Sequence, residues 1–208
     1  MIDEIDRALG ERLLASYEAG DSDALDKLFA KQRGRLVKFA AGRMTQQVRR
    51  RADASDLVQE AMHDATRRIR DYLRRRPMPF DVWLRKLVYE RVIMSHRRHC
   101  LATSRSTERE AMLSEESSLL LAERLLADDS TPSARLKRGE KVAAVREALS
   151  RLNERDREIL ICRGLEEMPY DEIAALLDCE LATARQWYGR ALRKLYEQLS
   201  DLGWSRDD

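Results

Sequence analysis

Between Ala182 and Tyr196 every charged side chain is basic: Arg185, Arg190, Arg193 and Lys194. Immediately before it, from Leu165 to Leu181, every charged side chain is acidic. A solvated helix ordinarily mixes both signs, so the basic stretch reads as aimed at an anion. Its first turn also holds Thr183 and Gln186, which with Arg185 supply the donors and acceptors that read base edges in a major groove. Plain helix packing is the alternative for such a pair of helices. Trp187, with Ala184, Tyr188 and Ala191 as neighbours, fits a core role better than a DNA contact.

A second cluster is acidic: Asp56, Glu60, His63 and Asp64. Glu60 and His63 have the Glu-x-x-His spacing of carboxylate metal sites in helix bundles, but such sites need a second copy and further glutamates. His96 and His99 have Ile93 and His96, not Glu, three residues before them. A solvated face and a protein-docking face are the other readings, and the basic helices around it favour docking to a basic partner. A third cluster interleaves Arg85, Lys86, Arg91, Arg97 and Arg98 with Phe80, Trp83 and Tyr89. Cations that follow a backbone and rings that stack on splayed bases are what single-stranded DNA binding needs. Core burial explains Phe80 and Trp83 as well, so Tyr89 and the end from His96 to His99 are the better candidates for exposure.

Enzyme chemistry finds no support. The sequence has no GxxxxGK[ST], GxSxG or HExxH. Cys100, Cys162 and Cys179 form no CxxC pair, which fits a reducing compartment. No cofactor or metal is expected, and the chain is read as a non-enzyme. No leader precedes Leu9, and no apolar run approaches the roughly 20 residues of a membrane span, so a cytoplasmic protein is expected.

The elements that must position these clusters are helices. The chain of 208 residues is 37% charged and 43% apolar with few Gly and Pro and no β-branched runs, which argues for helices with small cores. Its net charge of +2 says little about partners. The distribution says more: residues 1–30 are acidic, 31–51 carry only basic charges, and 67–98 are strongly basic. Helical periodicity predicts a helix up to Ala19, stopped by Gly20-Asp21, and a second one capped by Asp21 or Ser22. After a polar break at 46–51, Asp53-Ala54-Ser55-Asp56 opens a third helix. Pro77-Met78-Pro79 separates it from a fourth, which starts at Phe80. Helices two to four are expected to share one core. Residues 101–135 are rich in Ser, Thr and Glu and read as a linker, apart from an apolar patch at Leu119 to Leu126 that reads as a short helix or a segment docking on a partner. Helices resume at Leu136, with Asn153 a cap. The last pair, from Tyr170 and from about Ala182, turns a corner at Asp178-Cys179-Glu180 and makes a helix-turn-helix. The fold class expected is all-α, two small helical domains joined by a flexible linker, the second containing the helix-turn-helix.

Five stretches, in this order, resemble the extracytoplasmic-function sigma factors of bacterial RNA polymerase. They are Gly20-Asp21-Ser22-Asp23-Ala24-Leu25 with Leu28-Phe29, Asp53 through Glu60, Phe80-Asp81-Val82-Trp83-Leu84, Leu152 through Glu158, and Tyr170-Asp171-Glu172-Ile173-Ala174. The resemblance implies a region 2-like domain at 1–100, a linker at 101–136 and a region 4-like domain at 137–204. It implies docking of Asp53, Asp56, Leu57, Gln59 and Glu60 on the β′ clamp helices of core polymerase. Trp83, Arg85, Lys86, Tyr89, Arg91, Arg97 and Arg98 would melt and read the −10 element. Thr183, Arg185, Gln186, Trp187, Arg190, Arg193 and Lys194 would meet the −35 element. The β flap and an anti-sigma factor are the further partners it implies. The chain departs from the family pattern at Asp178, often Gly, at Ala184 to Trp187, often Val, Lys, Ser, Arg, and at Glu90, usually Asn. Those departures bear on which promoter is read. The readings that compete with this one are a helix-turn-helix regulator acting without polymerase, a metal-carboxylate enzyme using Glu60 and His63, and a helical adaptor.

Overall fold

In a computed structural model of the chain, residues 2–100, 114–126 and 132–203 are described. They are helices and turns with no strand among them. The chain divides into two compact units, 1–103 and 104–208.

The first unit holds α1 (Ile2–Glu18), α2 (Asp23–Gly42), the short α3 (Gln46–Arg49), α4 (Ala54–Arg75) and α5 (Phe80–Cys100). The polar break expected at 46–51 therefore contains a helical turn, which Thr45 caps by accepting from the Val48 N–H. Asp53 caps α4 by accepting from the Ser55 N–H at 2.6 Å. Arg76 ends α4 in the left-handed region (φ 37°), and the Pro77-Met78-Pro79 stretch turns the chain into α5. The core is the apolar stripe of α2 and α4 set against α5: Leu25, Leu28, Leu36, Val58, Ala61, Ile69, Phe80, Leu84, Val88 and Val92 are all buried. An aromatic cluster sits at one end. Trp83 stacks on Tyr72 with centroids 4.5 Å apart, and Phe80 meets Tyr72 edge-on at 5.4 Å. The Tyr72 hydroxyl donates to the Met78 carbonyl, and burial pushes its phenol up to about 12. α1 packs on α2, with Leu14 fully buried. Ion pairs hold it there: Asp6 with Lys31 and Arg35, Arg7 with Asp81, and Glu11 and Glu18 with Arg76.

The second unit holds α6 (Glu115–Leu125), α7 (Pro132–Arg151), α8 (Glu154–Leu160), a π-helical turn (Ile161–Leu165), α9 (Tyr170–Leu176) and α10 (Leu181–Asp201). Asn153 caps α8 through the Asp156 N–H at 2.9 Å. The buried Arg157 donates to the Leu149 and Ser150 carbonyls and so satisfies the end of α7. Burial pulls its guanidinium down to about 10, against the opposing attraction of Glu154. Asp178 makes the α9–α10 corner in the left-handed region, φ 52°. Within the segment read as linker, the apolar patch at Leu119 to Leu126 falls largely in a short helix, one of its two expected forms, and that helix starts earlier than the patch. Residues 115–125 form α6, capped by Ser114, and α7 begins at Pro132. α6 packs on α7 and the π turn, burying Leu121, Ala122 and Leu126. Serines that look like linker composition are in part capping groups: Ser114 Oγ accepts from the Ser117 N–H.

Candidate nucleic-acid interface

α10 buries Ala184, Ala191, Leu195 and Leu199 against α7, α8 and α9. That registration leaves Arg185, Gln186, Arg190 and Arg193 exposed on the opposite side. Arg185, Arg190 and Arg193 make no ion pair with the described residues, so their charge is uncompensated and available to an anion. Thr183 is half-buried in the first turn. Trp187 is half-buried as well, and the Arg155 guanidinium lies 4.5 Å from its ring centroid. Lys194, which the resemblance sends to the −35 element, is instead engaged within its own unit. It pairs with Asp156, whose side chain is 3% exposed and which also accepts from Asn153 Nδ2 at 2.7 Å. Around the first turn of α10, Tyr170 meets Tyr188 edge-on at 6.1 Å, and Arg163 and Arg185 both approach the Tyr170 ring. The reading of α10 alone gave no sign of Arg155, Arg163 and Tyr170 at its flank, because their nearness depends on how α8, the π turn and α9 pack.

The acidic cluster of α4 divides by position. Asp53, Asp56, Gln59 and Glu60 are exposed, whereas Leu57 is buried in the core of the first unit. Arg33 donates to Ser55 Oγ beside the Asp53 cap. Arg91 of α5 reaches across to Glu60 at 3.6 Å and pairs with Asp64. The Glu-x-x-His spacing gathers no donor set: His63 is exposed, and among the described residues no group of three or more His, Cys, Asp and Glu could hold a metal ion.

α5 corrects the expectation of exposed rings. Tyr89 is 8% exposed, and His96 is 4% exposed with Nε2 at 3.0 Å from the Arg43 carbonyl, whereas Trp83, also 8% exposed, takes the core place expected for it. α5 touches α1, α2, α3 and α4, so it has little free face, and its aromatic residues go to the core. His99 lies outside the residues with described side chains. Arg85 and Lys86 are half-buried, Arg85 beside Asp81. Arg97 and Arg98, at the far end, are exposed and make no ion pair with the described residues.

Two family matches cover more than half the chain: Sigma-70 region 2 over residues 29–100 and Sigma-70, region 4 over residues 143–195. The RNA polymerase sigma-H factor of Pseudomonas aeruginosa is 26% identical over 192 residues, 92% of this chain and 94% of that protein. The ECF RNA polymerase sigma-E factor of Haemophilus influenzae is 27% identical over 197 residues, 95% of this chain and 96% of that protein. Among solved structures, CnrH in complex with the cytosolic domain of CnrY has a similar fold, with a TM-score of 0.53, 19% identity and coverage of 94% of this chain and 97% of that one.

Proposed function

The chain belongs to the extracytoplasmic-function sigma factors, RNA polymerase subunits that direct core enzyme to specific promoters, and from that premise we propose how its surfaces divide the work. The acidic edge of α4, at Asp53, Asp56, Gln59 and Glu60, docks on the clamp helices of β′. Leu57 supports that edge from beneath. The first unit meets the −10 element along α5, with Arg97 and Arg98 on the phosphates. Trp83 and Tyr89 build the platform from inside, and Arg85, Lys86 and Arg91 become contacts only where polymerase or DNA displaces their present partners. α10 enters the major groove at the −35 element, Arg185 and Gln186 toward base edges and Arg190 and Arg193 toward phosphates. The second unit also meets the β flap. The protein does no covalent chemistry, takes no cofactor and acts in the cytoplasm, where polymerase is. No helix among the described residues is long and apolar enough to cross a membrane. An anti-sigma factor is a further partner; CnrH, which shares the fold, is solved with the cytosolic domain of CnrY.

One observation carries this reading. The exposed side of α10 presents three arginines with no ion pair among the described residues, while the exposed edge of α4 is acidic. Two surfaces of opposite sign suit a subunit that holds DNA and a protein at once. The test is co-purification with core polymerase followed by promoter-dependent run-off transcription. Binding to core and transcription from a defined subset of promoters is expected. DNA binding without any association with core would assign the chain instead to regulators that act alone.

A further inference from the structure

Arg185 is the first exposed cation along α10, and its partner among the described residues is a ring, not a carboxylate. Its Cζ lies 5.8 Å from the centroid of Tyr170, within the range of a cation–π contact. Tyr170 is the first residue of α9, outside the reading helix, and follows Pro169, whose extended ψ of 148° sets the entry to that helix. The ring is held from two sides. Tyr188 of α10 meets it edge-on at 6.1 Å and 70°. Arg163 of the π turn lies 5.0 Å from its centroid, and Arg163 is itself anchored by donating to the Met168 carbonyl at 3.1 Å.

Two guanidinium groups therefore share one aromatic ring. Their like charges repel, and of the two Arg163 is the anchored one and Arg185 the more exposed. A guanidinium against a ring keeps its N–H donors free in its own plane. Bidentate contact to a guanine edge needs those donors and a fixed plane. A free arginine would lose rotamer entropy on being fixed by DNA; one already held by a ring loses less.

We propose that Tyr170 is a specificity-determining residue of promoter recognition, a positioning residue whose ring holds Arg185 in the orientation that meets a base edge. The proposal rests on the reading of α10 as the −35 helix. Specificity at one base pair thus depends on α9 as well as on α10.

The test uses the full chain with core polymerase on promoters randomised through the −35 element. The variants are Arg185→Ala, Tyr170→Phe, Tyr170→Leu and the double variant Tyr170→Leu with Arg185→Ala. Arg185→Ala is expected to flatten preference at one base pair. Tyr170→Leu should reduce preference at that same base pair by about two- to fivefold, and Tyr170→Phe, which keeps the ring, should preserve it. The double variant should match Arg185→Ala alone. Circular dichroism checks helical content. If Tyr170→Leu loses it, Tyr170→Trp takes its place, and a shifted preference at the same base pair is then expected. Equal loss at every promoter, or a loss that adds to that of Arg185→Ala, would make Tyr170 a packing residue and overturn the proposal while leaving the −35 reading intact. Unchanged preference in Arg185→Ala would overturn the reading itself, and the proposal with it.

Discussion

At the scale of single residues, the basic side chains of α10 differ in what they are free to do. Arg193 is exposed with no ion pair among the described residues, whereas Lys194 is committed to Asp156. Arg193→Ala should weaken binding to all promoters alike and reduce the salt slope by about one unit. Binding isotherms at several salt concentrations check it. Lys194→Ala should instead act on stability, because it leaves a nearly buried carboxylate with less compensation. A loss of about 1–2 kcal/mol is expected, since Lys194 is partly exposed and screened. Thermal unfolding of the variant should show it, with promoter preference unchanged. On α4, Asp56 and Glu60 are exposed, and Glu60 lies near Arg91. Reversing both to Lys should weaken association with core by roughly 2–5 kcal/mol if that edge is desolvated on docking, with helical content retained. Undiminished competition of the double variant for core would remove α4 from the polymerase interface.

At the scale of elements, α6 and α1 are the helices whose attachment is most open to test. α6 lies on the π turn with Leu121 over Gly164, where an added Cβ would stand 3.2 Å from Leu121 Cδ1. Arg124 reaches the Leu165 carbonyl and Glu167 from the same side. Gly164→Val should overpack this contact at a cost of about 1–3 kcal/mol and lift α6 while the rest of the unit stays folded. Tryptic cleavage after Arg124 should then accelerate, and unchanged protection would show that α6 is held elsewhere. α1 is held in part by charge. A hydrogen bond from Lys31 keeps the Asp6 carboxyl below its ordinary value of 3.8, with Arg35 adding attraction. Because the folded value lies below the unfolded one, this contribution is present above pH 3.8 and fades as pH falls through the folded value. The stability difference between the native chain and Asp6→Asn should therefore be constant at neutral pH and vanish in acid. A difference that shows no decline as pH falls below 3.8 would mean that the Asp6 carboxylate is not its source.

At the scale of the whole molecule, each unit has its own apolar centre. Leu28 belongs to the first and Leu149 to the second, and both are fully buried. Leu28→Ala and Leu149→Ala should each cost about 2–5 kcal/mol, felt in one unit only. Native-state hydrogen exchange should show lost protection within 2–100 for the first and within 132–203 for the second. Loss spread over both units by either variant would mean that they unfold as one.

The sequence by itself determined the helical class, the helix start at Asp53 to Asp56, the cap at Asn153, the turn at Asp178 and the separation of acidic from basic surfaces. Each is local: period, capping chemistry and charge sign are carried by residues a few positions apart. The family, too, was legible in short runs along the chain. Tertiary structure alone decided the rest. Tyr89 and His96 went to the core because α5 is enclosed by four other helices, and periodicity names an apolar face without counting the neighbours that cover it. Arg91 and Lys194 were drawn into ion pairs with Asp64 and Asp156, partners 27 and 38 residues away. Between a short helix and a docking segment at Leu119 to Leu126, the choice fell to α6 because Ser114 caps it and Leu121, Ala122 and Leu126 have a surface to cover. Composition is averaged along the chain, but a helix is stabilised by what it packs against.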